Sequence, residues 1–179
     1  MNQLDMALKL EKISEKNEYV FDTSALISLG AIDIIDSVLK LARIVITSSV
    51  ISELEEFAKY DDKFGKASKE VLKHKEKFIV KKAEVKESIK YIEETDNEVY
   101  NLAKELSSTL ITDDIKFSRH IDRKINTQFS IFFLILLVSS GNLSKEKALE
   151  LLEKLRDIRN WRSNLIYLTV KDQLGNLNK

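Results

Sequence analysis

Short apolar runs rich in β-branched residues alternate along this chain with segments of helical spacing, and that alternation constrains the fold most. Tyr19-Val20-Phe21, Arg43 to Thr47, Phe78-Ile79-Val80 and Thr109 to Thr112 read as strands, with Lys124 to Thr127 as a fifth. Between the first two, Ala25 to Leu41 carries Leu26, Leu29, Ile32, Ile35, Val38 and Leu39 at helical intervals, with Gly30 as the expected bend. Ser48 or Ser49 offers an N-cap for a helix bearing Val50, Leu54, Phe57 and Ala58. Strands alternating with helices predict an α/β fold of three layers, α/β/α, around a central, mainly parallel sheet.

Lys59 to Lys77 reads as a charged helical segment broken at Gly65. Thr95-Asp96-Asn97-Glu98 has the form of a capping box, with Thr95 as cap and Glu98 reaching back to its amide. Ile115 to Ile121 is a short helix. Ile131 to Val138 is apolar all round, so a buried core helix and a homodimer contact predict the same pattern. A helix from Ser144 to about Arg159 and a short closing element from Trp161 to Leu168 complete the chain. Leu4 to Glu15 is amphipathic and precedes the first strand, which divides the sequence into an N-terminal helix, 1–17, and a single domain, 18–179.

Composition removes several chemistries. There are no cysteines, so disulfides, thiolate metal sites and cysteine nucleophiles are out. With His74 and His120 as the two histidines, zinc lacks its usual donors. No G-x-G-x-x-G and no P-loop signature occurs. Acidic and basic residues balance at 29 each, yet Lys59 to Lys90 holds 11 lysines against six acids. A solvated helix face explains that bias, and phosphate contact by part of it is the second reading. The longest apolar run is too short for a membrane span and the N-terminus has no signal-peptide pattern, so a cytoplasmic protein is expected.

Asp22 and Asp113-Asp114 stand where strand-like runs stop, and Glu53 and Asp96 stand near helix starts. In a parallel sheet those places meet at one edge, where ligands bind. Carboxylates gathered there repel one another unless a divalent cation lies between them, and an all-oxygen set suits Mg²⁺ or Mn²⁺. Asp22, Glu53, Asp96 and Asp114 are therefore the candidate catalytic and metal-holding residues, with Asp113 as a further candidate ligand or as a supporting or substrate-side acid. Thr23, Ser24 and Thr112 can hydrogen-bond the ligand carboxylates, and Glu98 is assigned to support rather than ligation. Lys116, Arg119 and Arg123 follow at helical spacing and can contact phosphates near the site.

At these residues the chain resembles the PIN-domain nucleases, over roughly Tyr19 to Asn164. Asp22-Thr23-Ser24-Ala25-Leu26 resembles the family's opening D-[TS]-[SN]-x-[LI], and Glu53-Leu54 its helical E-L. Asp96 and Ala103 keep the spacing of its third motif, and Thr112-Asp113-Asp114 that of its closing T-x-D. The resemblance implies a metal-dependent endoribonuclease leaving a 5′-phosphate and a 3′-hydroxyl. It allows two settings: the toxin of a toxin–antitoxin pair, held by a small antitoxin, or a stand-alone RNA-processing or decay enzyme. The competing class is a non-catalytic RNA-binding or scaffold domain of the same fold. A receiver-like module, the third class, wants an acidic pair at the first strand, where this chain has Asp22 alone.

Overall fold

The computed structural model describes residues 17–121, 124–161 and 164–177. The expected helix at Leu4 to Glu15 lies outside them. Five strands form one sheet: β1 (Asn17–Phe21), β2 (Ala42–Ile46), β3 (Ile79–Val80), β4 (Thr109–Ile111) and β5 (Thr127–Gln128), in the order β3-β2-β1-β4-β5. Every pairing is parallel, with Val20 of β1 opposite Val45 on one side and Leu110 on the other. Central strands of such a sheet are covered on both faces, and Val20, Phe21, Ile44, Val45 and Ile46 are accordingly fully buried.

The helices are α1 (Thr23–Ala31), α2 (Ile35–Leu41), α3 (Ser48–Phe57), α4 (Lys63–Leu72), α5 (Glu94–Glu105), α6 (Ile115–His120), α7 (Phe132–Ser139), α8 (Lys145–Arg159) and α9 (Leu165–Asn176). They cover the sheet on both faces and complete the three-layer α/β/α architecture. α1 packs on α4 and α3, α5 lies against β1 and β4, and α7 packs on α8 and α9. Phe133 of α7 stacks on Phe21 at 5.6 Å and meets Tyr19 edge-on at 5.5 Å, tying that helix to the first strand. Phe133, Leu134 and Leu137 are buried, while Ile135, Leu136 and Val138 are partly covered. No helix among the described residues is long and apolar enough to cross a membrane.

Four local expectations are corrected. The segment expected as one helix bent at Gly30 is two helices, and the break falls at Asp33. Asp33 takes a left-handed conformation (φ 58°), and Ile34 N donates to Leu29 O while Asp33 N donates to Gly30 O, a Schellman ending. Gly30 lies inside α1 and serves close packing there, since a Cβ would stand 2.6 Å from the Ala67 carbonyl of α4. Gly65 likewise lies inside α4, whose start is capped by Asp62 through Phe64 N and Gly65 N. The capping box does not form: α5 begins at Glu94 after Glu93, which puts Thr95 inside the first turn and sends Glu98 elsewhere. The closing element is a full helix, α9, that begins after Asn164 rather than at Trp161.

The chain runs from β1 to β2 to β3 on one side, then returns to β4 and β5 on the other. The strand order thus reverses between β1 and β4. A crevice opens at such a switch point, beyond the carboxyl ends of the two strands. Asp22 N donates to Ile111 O at 3.1 Å, so the two strand ends are laced side by side there.

Candidate active site

Asp22 is the first residue past β1 and the N-cap of α1, so one residue ends a strand and starts a helix. Its carboxylate accepts from Ala25 N at 2.8 Å, from the Ser24 hydroxyl at 2.9 Å and from the Thr112 hydroxyl. It is 4% exposed. Burial pushes its pKa up to about 7, and the Asp113 carboxylate adds to the rise; the Thr112, Ala25 and Ser24 donors pull against it.

β4 delivers Thr112, Asp113 and Asp114, and the two acids turn opposite ways. Asp113 faces inward, accepting from Ser130 N at 2.9 Å and from the Ser130 hydroxyl at 2.6 Å. Burial raises its pKa, while Ser130, Ser28 and the Arg159 charge oppose the rise. Asp113 N donates to Ser24 Oγ, so that hydroxyl ties the Asp22 turn to the end of β4. Asp114 is exposed and caps α6. It takes Lys116 N and Phe117 N on Oδ1 alone, which leaves the lone pairs of Oδ2. We expect Ser130→Ala to cost about 1–3 kcal/mol, since a buried carboxylate loses a donor. The hydroxyl lowers the Asp113 pKa, so its removal raises that pKa further and the cost grows as pH rises. Urea midpoints at pH 5 and pH 8 check both sign and size.

Glu53 projects from α3 and accepts a hydrogen bond from the Thr23 hydroxyl. Asp96 comes from the first turn of α5, and its pKa is raised to about 6. Burial is the main cause, followed by the carboxylates of Asp114, Glu93 and Glu53. Asp22, Glu53, Asp96 and Asp114, from four separate parts of the fold, line one cleft of about 590 Å³. Glu56 and Glu93 join them, and Arg159, from the last turn of α8, is the one basic side chain among the described lining residues.

The remaining candidates divide. Thr23 and Ser24 line the cleft, and Thr112 reaches it through Asp22. Glu98 accepts from Ser49 Oγ at 2.7 Å and lines a neighbouring cleft with Lys81, Lys82 and Lys86. Lys116 and Arg119 are exposed on α6 and do not line the acidic cleft. Arg123 lies outside the described residues. The sequence reading missed Arg159 and the aromatic rings Phe57, Tyr60 and Phe64 that share the cleft. Tertiary packing brings these together, and no local signal marks them apart from Phe57, one turn after Glu53 on α3.

The donor chemistry fits a hard divalent cation. The cleft offers carboxylate oxygens and neighbouring hydroxyls, with no imidazole or thiolate among its described lining residues. As the side chains stand, no three of the described acidic or imidazole groups are close enough to hold one ion. Drawing them inward needs a counter-charge that offsets the repulsion raising Asp96.

The chain is thus a parallel α/β/α sheet with a carboxylate-lined crevice at its switch point. The model of the DUF3368 family, described as a PIN domain, matches residues 18–176, and the chain belongs to that family, whose fold is of nuclease type. Among solved structures, the chain is similar to a domain of a functionally unknown protein from Methanocaldococcus jannaschii DSM 2661. The two are 25% identical, with a TM-score of 0.46, over 63% of this chain and 90% of that one. Comparison with curated proteins gives no match.

Proposed function

We propose that this chain is a metal-dependent endoribonuclease that hydrolyses RNA phosphodiesters in the switch-point cleft. One observation carries the reading: Asp22, Glu53, Asp96 and Asp114 share that cleft, and the Asp96 pKa is raised in part by two of the others. Asp22, Asp96, Asp114 and Glu53 would hold Mg²⁺ or Mn²⁺. When bound, such an ion stabilises charge on the phosphoryl oxygens and makes water more acidic.

The chain's own residues do the rest. Thr112 and Ser24 hold the Asp22 carboxylate, and Thr23 hydrogen-bonds Glu53, so these two donors are oriented before a counter-charge draws the cleft inward. Arg159 offers a guanidinium across the cleft for a phosphate oxygen. Water attacks phosphorus in line, the bond to the 3′ oxygen breaks, and a 5′-phosphate and a 3′-hydroxyl remain. No protein nucleophile is required. An antitoxin-held toxin and an RNA-processing or decay enzyme both use this chemistry.

The test is a time course with end-labelled single-stranded RNA. Wild type should cleave in Mn²⁺ or Mg²⁺, stop in EDTA and recover when metal is restored. Asp114→Asn should bind the RNA and leave it intact. RNA binding by wild type without metal-dependent cleavage of any substrate would favour the scaffold reading instead.

A further inference from the structure

The cleft has a second wall that hydrolysis alone does not explain. Three aromatic rings are among the large exposed hydrophobic side chains: Phe57, 41% exposed, Tyr60, 57% exposed, and Tyr91. The first two line the acidic cleft, with Phe64 beside them. Phe57 follows Glu53 by one turn of α3, so ring and carboxylate lie on the same helix face. Tyr60 sits just past the helix end.

The rings are exposed, but their backbone is held. Ala58 N donates to Leu54 O, Lys59 N to Glu56 O and Tyr60 N to Phe57 O, closing the end of α3. Asp62 then caps α4 at once. Gly65 permits the tight reversal: a Cβ there would stand 2.0 Å from Tyr60 O and 2.8 Å from Phe57 O. The backbone that carries two aromatic rings is thus held, and the rings are left open beside a charged site. Solvated rings gain nothing from this placement, whereas a flat ligand ring gains contact with side chains whose backbone is already ordered.

We propose that Phe57 and Tyr60 form a stacking shelf for an unpaired base next to the scissile phosphate. This rests on the nuclease reading of the cleft. A nucleotide matches both walls: its phosphate suits Arg159 and the carboxylate-held cation, and its base suits the rings. Aromatic stacking tolerates any base, because every base has a π-face. Bases in a duplex are stacked on each other and cannot lie on the shelf. A protein inhibitor or a second copy of the chain on the same rings is the alternative to be tested.

The experiment compares wild type, Tyr60→Ala, Phe57→Ala and Tyr60→Trp in Mn²⁺ on three RNA probes. These are a single-stranded oligomer, the same oligomer with abasic positions beside the cleavage site, and its duplex. Tyr60→Ala and Phe57→Ala should each raise KM for the intact single strand about tenfold, with kcat within about twofold. Tyr60→Trp should restore KM, and abasic RNA should bind wild type and Tyr60→Ala alike. Equilibrium binding of the three probes, with Asp114→Asn as background, gives the same comparison without turnover. If wild type cleaves nothing, the nuclease reading fails, and a tenfold affinity loss confined to intact single strands still supports the shelf. Equal affinity across variants, an equal loss on all three probes, or a change of oligomeric state on truncation without a change in RNA affinity would overturn it.

Discussion

Asp22→Asn is expected to abolish RNA cleavage and, in the same protein, to raise stability at neutral and alkaline pH when metal is removed. The loss of activity follows from the cleft: the substitution takes one charge from the most buried of the proposed ligands. A positioned ion supplies several kcal/mol to the transition state, so cleavage should fall on the order of a thousandfold. The gain in stability follows from the same burial. The folded-state pKa of Asp22 is raised from 3.8 to about 7. A raised carboxyl pKa favours the fold fully below about pH 4, and that contribution is lost as pH rises toward 7. The loss approaches roughly 4 kcal/mol once pH exceeds 7. Asparagine carries no charge to desolvate, though one oxygen replaces two for the three donors that Asp22 satisfies. In EDTA the variant's advantage over wild type should therefore widen between pH 5 and pH 8. Asp96 and Asp113 are shifted in the same direction, so wild type itself should lose stability over that window. Saturating Mn²⁺ should restore it in wild type, by about 2.7 kcal/mol at one hundred times the dissociation constant, and much less in the variant. Superimposable pH profiles for the two proteins would contradict this account of the site.

Phe133→Ala is expected to do the opposite. Phe133 is fully buried in α7, stacked on Phe21 and edge-on to Tyr19. Truncation removes a large apolar side chain and its ring contacts with Tyr19, Phe21 and Phe132, and leaves a cavity behind β1. The cost should be about 3–5 kcal/mol. Because the cavity lies in the core and not in the cleft, cleavage per folded molecule should stay within a few-fold of wild type below the unfolding transition. Urea unfolding with activity measured on the same samples separates the two effects. A loss of kcat well before unfolding would mean that α7 positions Asp22 more directly than its contacts indicate.

The alternation of strands and helices was legible because β2, β3 and β4 carry short β-branched runs and most helices keep an apolar face. The fifth strand, expected at Lys124 to Thr127, lies instead at Thr127–Gln128, where no apolar run marks it. The acids were legible because they follow those strands or open the next helix, and a parallel sheet gathers such positions. Helix ends were harder to read. In a chain with four glycines and no proline, left-handed stops fall on Asp33, Ser107 and Asn160 as well as Gly141. Gly30 and Gly65 serve close packing between helices instead, so they misled as breaks. Glu98 matched a capping box in spacing, but α5 starts earlier and Ser49 across the fold takes its carboxylate. Arg159 carried no local signal, since long-range packing sets it beside Asp22, whereas Phe57 could have been found one turn after Glu53 on α3. Lys116 and Arg119 show the converse: regular spacing marked a helix face, and that face does not line the cleft.

Carboxylates from four parts of the fold are expected to close around one divalent-ion site. Crystals soaked in Mn²⁺ and measured at the manganese absorption edge test it without relying on activity. The account predicts an anomalous peak in the switch-point cleft, with oxygens of Asp22, Asp96 and Asp114 at about 2.1–2.2 Å and Glu53 nearby. It also predicts that the peak disappears in Asp22→Asn. A peak elsewhere, or a cleft that stays open in saturating Mn²⁺ with the four carboxylates unmoved, would contradict it.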